Sequence, residues 1–223
     1  MIEGGGGGGG STALGSHGCM ATRKRVVFLD VDGVLHPFSA SSLFHAPCMA
    51  ALRTIIAQTG ASIVLSSSWQ ATPQSLAQVN AALQMNGVPA CSDKTVPTNA
   101  AGMAPAGAGE SNRAREILDW VDGHSDACRD GWVALDDMDL LRFMPPDAFV
   151  RTQAESGLTE ADAREAIQIL GGRDASLPPL APAPAKPGGF NVLVTRGEMQ
   201  REMMRAALAG AQSGDAPARD VGR

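Results

Sequence analysis

"VVFLDVDGVLHP", Val26 to Pro37, decides how the rest of the chain is read. A run of apolar β-formers ends in two aspartates one residue apart, and a glycine follows at once. A strand this apolar is buried on both faces, as in a parallel sheet. Carboxylates at its end are costly to bury unless something pairs with them. Asp30 and Asp32 therefore call for a partner.

Outward from this strand the chain alternates. Val26 to Val31 is followed by a helix from Pro47, with Leu52, Ile55 and Ile56 at helical spacing and Gly60 as its stop. Ser62 to Ser66 reads as a second strand. A helix opens at Pro73, carries Leu76, Val79 and Leu83 on one face, and stops at Gly87. A short strand is expected near Val88 to Cys91, and Asn99 to Gly109, rich in Ala, Gly and Pro, reads as a loop. A helix from about Asn112 to Val121, strands at Trp132 to Leu135 and Ala148 to Arg151, and a helix opened by a Thr159/Asp162 capping box complete the pattern. Ile167 and Leu170 mark its buried face. The fold class is α/β, a mainly parallel sheet with helices on both faces. Ligands of such sheets bind beyond the carboxyl ends of the strands, where the acids of this sequence fall.

Composition bounds the rest. The 223 residues are 44% hydrophobic, enough for one core, and the formal net charge is -5. The basic residues are scattered, with Thr22 to Arg25 the one short basic cluster, so no sequence-wide footprint for nucleic-acid binding is present. No apolar run reaches the roughly 18 residues of a membrane span, and a soluble intracellular protein, cytoplasmic by default, is expected. Cys19, Cys48, Cys91 and Cys128 lack ligand spacing and read as reduced thiols. Residues 1–19, with Gly4 to Gly10, read as disordered, and Met20 is a candidate alternative start. The α/β domain is placed at 20–172. A proline-rich linker at 173–189 follows, containing "LPPLAPAPAKPGG". Residues 190–210 read as a strand and short helix with Met199, Met203 and Leu208 as packing residues, and 211–223 as a disordered tail.

The acids form a constellation. An EF-hand loop fails, because it wants glycine sixth and glutamate twelfth, whereas glycine is fourth here and Ser41 twelfth. An Asp-x-Asp of the nucleotide-sugar transferase sort would leave the other strand ends unexplained, and a plain strand-end turn would suit an isolated motif. Here "IVLSSSWQ" ends the second strand in hydroxyls, and "WVALDDMD" ends a later one in Asp136 and Asp137. Two ionised carboxylates about 4 Å apart repel by roughly 4 kcal/mol at an effective dielectric near 20, so a gathering of acids demands a counter-charge. A hard divalent cation with oxygen ligands, most simply Mg2+, meets the demand.

With these motifs, the Arg113-Ala-Arg-Glu-Ile helix start and "FVRTQAESGLT", the stretch from about Arg25 to Leu170 resembles the haloacid dehalogenase-like (HAD-like) phosphatase superfamily. Within it, the similarity is to the HAD-like domain of Swiss Army Knife RNA repair proteins. The resemblance implies a three-layer Rossmannoid fold without a large cap domain and a Mg2+-dependent phosphatase. Asp30 would be the nucleophile and Asp32 the general acid and base, also reaching the metal by its carbonyl. Ser66 would bind a phosphoryl oxygen. Arg113 would neutralise charge on the transferring group, with Arg115 in reserve. Asp136 and Asp137 would complete a metal set with Asp30 and Asp32, and Asp139 would help from behind. Gly33, Ser67 and His36 are candidate substrate contacts, although His36 also suits an exposed loop, and Trp69 suits the core or its rim. Where "SSSWR" is expected, the chain has Gln70 in place of the cation.

The gap after the first motif holds one helix and the later gap a short loop, so the site is expected to be open. An open site suits a phosphorylated macromolecule, such as a nucleic-acid end, over a small metabolite. Two other readings are a weak or inactive module that binds phosphate or a protein, and a phosphotransferase, which would need an acceptor pocket.

Overall fold

The computed structural model describes residues 24–98 and 109–171. The expected N-terminal disorder, most of the 99–109 loop, the proline-rich linker, the strand and helix of 190–210 and the tail lie outside the described residues. Within them the expected architecture is found: β1 (Val26–Leu29), α1 (Ala46–Thr59), β2 (Ser62–Leu65), α2 (Pro73–Met85), β3 (Asp93–Lys94), α3 (Gly109–Gly123), β4 (Trp132–Asp136), β5 (Phe149–Arg151) and α4 (Glu160–Ile169). All five strands are parallel, in the order β3-β2-β1-β4-β5.

β1 is the central strand, which explains its unbroken apolar sequence. Val26 lies level with Ser62 on one side and Trp132 on the other, and Leu29 with Leu65 and Leu135. Side chains alternate across the sheet. Val27 and Leu29 join a core with Leu52 and Ile55 of α1, Val79 and Leu83 of α2, and Ala163 and Ile167 of α4. Val26 and Phe28 face the other way, against Ala114, Ile117 and Trp120 of α3. Phe28 meets Trp120 and Trp132 edge-on, at centroid distances of 5.3 and 5.7 Å.

Local signals set the helix ends. Pro47 sits in the first turn of α1, and Gly60 closes that helix at φ +65°, where a side chain would be strained. Capping boxes open α2 (Thr72 with Ser75) and α4 (Thr159 with Asp162).

One expected strand is displaced. Val88 to Cys91 does not pair; β3 is the exposed Asp93–Lys94, level with Val64 and Leu65. Val88 is buried, and its apolar character reports core packing ahead of an edge strand made of polar residues.

The sheet order reverses beside β1, because the chain runs from β1 outward to β3 and then returns to place β4 on the other side. The crevice at the carboxyl ends of β1 and β4 is thus the position where open α/β sheets bind ligands.

Replacing Phe28 by Ala removes a ring packed between two tryptophans, and the loss expected is about 3–5 kcal/mol of unfolding free energy, measured by urea denaturation. A loss under about 1 kcal/mol would show that this side of the sheet does not carry the core.

Candidate active site

The ladder between β1 and β4 continues to the first acid, with the Asp30 N–H donating to the Leu135 carbonyl at 3.1 Å. The chain then turns tightly: the Val31 carbonyl accepts from the N–H groups of Val34, Leu35 and His36. Gly33 sits in this turn at φ +76°, and a Cβ there would come within 2.4 Å of the Asp137 carboxylate. Only glycine lets the two acidic loops approach this closely. Just past β5 the buried Thr152 braces both loops, its hydroxyl donating to the Gly33 carbonyl (2.8 Å) and its N–H to the Asp136 carbonyl (3.0 Å).

Arg113, near the start of α3, reaches into this crevice. Its Nη1 lies 3.1 Å from Asp30 Oδ1 and 2.7 Å from Asp136 Oδ2, and it also donates to the Ser66 carbonyl at the end of β2. One guanidinium thus ties together the ends of β1, β2 and β4. The other Asp136 oxygen accepts from the Met138 N–H at 2.9 Å.

A single cation does not satisfy the acids around it. Burial raises the Asp30 carboxyl above its usual range, against the opposing pull of Arg113 and of a hydrogen bond from Ser67. Burial, and then the charge of Asp30, push Asp136 up to about 7 despite Arg113. Asp137, half-buried, is raised by burial and by Asp30. For Arg113, burial works against the charge, but Asp30 and Asp136 outweigh it and hold the guanidinium firmly protonated.

Oxygens of Asp30, Asp136 and Asp137 all lie within 4.8 Å of one another. Three hard oxygen donors with too little positive charge between them fit a cation of the Mg2+ type. The Asp32 carboxylate is turned elsewhere, with Oδ1 3.0 Å from His36 Nδ1 and Oδ2 accepting from Trp69 Nε1 at 2.9 Å. Only its carbonyl is left for the metal role that the resemblance implies.

The other expected residues divide. Ser66 is buried at the end of β2, and its Oγ has no hydrogen-bond partner among the described residues. Ser67 hydrogen-bonds to Asp30 and caps the short turn at Ser68–Ala71. Gly33 commits its N–H to the His36 carbonyl and its carbonyl to Thr152, and its missing side chain leaves room for the Asp137 carboxylate. His36 is buried against Asp32 and not in an exposed loop. Arg115 is exposed and pairs with Asp119, away from the acids. Asp139 pairs with Arg151, whose Nε also donates to the Asp137 carbonyl, so these two brace the acidic loop.

The Gln70 amide is turned away from the acid cluster. It is buried between β2 and β3, where its nitrogen, in the orientation that satisfies every partner, donates to the carbonyls of Thr95 (2.7 Å) and Leu65 (3.3 Å), and its oxygen accepts from the Thr95 hydroxyl. The sequence pattern did not reveal the links of Trp69 to Asp32 and of Thr152 to Gly33. An indole and a threonine carry no chemical signature until their neighbours are known.

The parallel sheet and the acids at its switch point define a HAD-like Rossmannoid domain. The model of the family described as the HAD domain in Swiss Army Knife RNA repair proteins matches residues 26–163, more than half of the chain, and the protein belongs to that family. This places it in a superfamily of hydrolases and phosphatases. No curated protein and no solved structure matches it significantly. Among the described residues no helix is long and apolar enough to cross a membrane.

Two outcomes are expected. Asp136 in the metal-free fold has a pKa of about 7 against an ordinary 3.8, so its ionisation costs stability: nothing below about pH 4 and the full amount above about pH 7. Protein in EDTA should therefore melt at lower temperature as pH rises from 5 to 8, and Mg2+ should restore the loss at the upper end; equal melting across that range, with or without Mg2+, contradicts the account. Replacing Gln70 by Arg should cost roughly 2–4 kcal/mol of stability in denaturant titrations, because it buries a charge where an amide is satisfied, and should not strengthen the site.

Proposed function

We propose that the protein is a Mg2+-dependent phosphomonoester phosphatase that works through an aspartyl phosphate on Asp30. The observation that carries this reading is the contrast between two carboxyls one residue apart. Asp30 is buried against Arg113 and Ser67, whereas the Asp32 side chain is about one-third open to solvent. A nucleophile needs an ionised carboxylate held still, and Arg113 supplies the counter-charge. A general acid and base needs access to the leaving group and then to water, which Asp32 has.

In the proposed cycle an Asp30 oxygen attacks phosphorus, the bond to the leaving oxygen breaks, and Asp32 gives that oxygen a proton. Water then attacks the aspartyl phosphate, returns a proton to Asp32, and frees Asp30 and inorganic phosphate. Ser66 would donate its unpaired hydroxyl to a phosphoryl oxygen. Asp30, Asp136 and Asp137 would hold Mg2+, which when bound would neutralise phosphoryl charge and orient the group for in-line attack.

The substrate we infer is an exposed phosphomonoester, such as a phosphorylated nucleic-acid end. Between Gly33 and β2 the chain forms a turn, a loop and α1, and residues 95–108 are far too few for a cap domain. The name of the family, with its reference to RNA repair, supports a nucleic-acid end. The thiols of Cys48, Cys91 and Cys128 are free, which supports a reducing intracellular setting such as the cytoplasm.

Phosphate release from an aryl phosphate should require Mg2+ and should fall by about a thousandfold or more in Asp30→Asn. A wild-type chain that releases no phosphate from aryl phosphates or phosphorylated oligonucleotides, and that binds no beryllofluoride in the presence of Mg2+, would overturn the reading and leave a binding module.

A further inference from the structure

Trp69 is 2% exposed, and its ring packs edge-on against Phe44 at a centroid distance of 5.7 Å. For packing alone a phenylalanine would serve. What distinguishes tryptophan is an indole N–H that must find an acceptor when buried. Here the acceptor is the Asp32 carboxylate, 2.9 Å away and on a different loop of the sheet edge. The other oxygen of the same carboxylate meets Nδ1 of His36, itself 3% exposed, at 3.0 Å. Each oxygen of Asp32 thus has its own fixed partner, one from the turn after β2 and one from the turn after β1, and the carboxyl plane has little freedom to rotate.

We propose that Trp69 and His36 are positioning residues that hold the Asp32 carboxyl aimed at the leaving group, an inference that rests on the phosphatase reading. The proton leaves Asp32 for the leaving oxygen as the phosphorus–oxygen bond breaks, and a carboxylate is left behind. An indole can only donate. Its bond to Asp32 therefore tightens as the acid gives up its proton, because hydrogen bonds to an ionised acceptor are about twice as strong as those to a neutral one. An interaction that grows toward the transition state raises the rate of the chemical step. With its proton on Nδ1, His36 donates to Oδ1 of Asp32 whether the carboxyl is neutral or ionised, and leaves the acid proton free for the leaving oxygen.

The role has a signature that packing lacks. Protonation matters for a poor leaving group and hardly at all for a very acidic phenol. The experiment compares kcat/KM, which reports steps up to departure of the leaving group, across aryl phosphates of graded leaving-group pKa. Wild type, Trp69→Phe and His36→Ala are assayed with Mg2+. The expected result for Trp69→Phe is a change of less than about threefold for the most acidic phenol and a loss of about tenfold to a hundredfold for the least acidic, that is, a steeper dependence on leaving-group pKa. His36→Ala should steepen it in the same sense. An equal loss across the series, or none, overturns the proposal while the phosphatase reading stands on the Asp30→Asn control. If folded wild type hydrolyses none of the series, the phosphatase reading fails and this proposal falls with it.

A second measurement needs no turnover and does not depend on the folding of the Trp69 variant. Nε1–H of Trp69 should give an indole resonance in the 15N–1H spectrum that moves on Asp32→Asn, while that of Trp120, which donates to Asp93, stays in place. An unmoved Trp69 resonance also overturns the proposal.

Discussion

The site depends on one contact: the Arg113 guanidinium between Asp30 and Asp136. Two buried carboxylates from adjacent strands would otherwise face each other across a few ångströms, and each would reprotonate or force the strands apart. Arg113 is planar and permanently charged, so it can serve two acids and the Ser66 carbonyl at once without changing its own state. Breaking such a contact would leave uncompensated charge inside the fold, a larger penalty than the pair itself contributes. Even so, Asp30, Asp136 and Asp137 all remain raised, which is why the cluster is hospitable to a further cation.

The scaffold makes such crowding affordable. β1 and β4 are locked in register from Val26 opposite Trp132 to Leu29 opposite Leu135, and each strand is packed on both faces. The strand ends are therefore fixed points, and only the turns beyond them are free to adjust. Those turns are tied in their own way: Thr152 holds Gly33 and Asp136, Arg151 holds Asp137 and Asp139, and the Val34 carbonyl accepts from the Leu158 N–H. A position that small geometric errors would spoil is thus held from β1, β4 and β5 together.

Much of this was legible in the sequence, and the exceptions have physical reasons. Apolar runs ending in acids marked β1 and β4 because burial on both faces and a polar strand end are written in residue type. The Thr159/Asp162 box was readable because capping is local. β3 was misplaced because an edge strand of Asp93 and Lys94 has no apolar signature, while the nearby Val88 has one for another reason. Contacts between strands were beyond reach: His36 pointed toward a phosphate from its sequence position, and only the turn shows it buried against Asp32. Gln70 suggested a lost cation, but its amide turns toward β3, a direction that spacing along one strand does not encode.

The two aspartates of the first motif show how one turn can give like residues unlike chemistry. Asp30 ends the strand and inherits the sheet's burial, so its neighbours are the acids and the guanidinium of the crevice. Asp32 lies two residues on, past the point where the chain bends, and its neighbours are an indole, an imidazole and solvent. With about a third of its side chain exposed, Asp32 is within reach of water, and water would loosen a carboxylate that had no fixed partners. On the proposed reading, an indole and an imidazole rooted in the buried shell perform a service that a closing lid provides elsewhere. They would keep the acid oriented while its outer side stays accessible to the exposed phosphomonoester proposed as substrate.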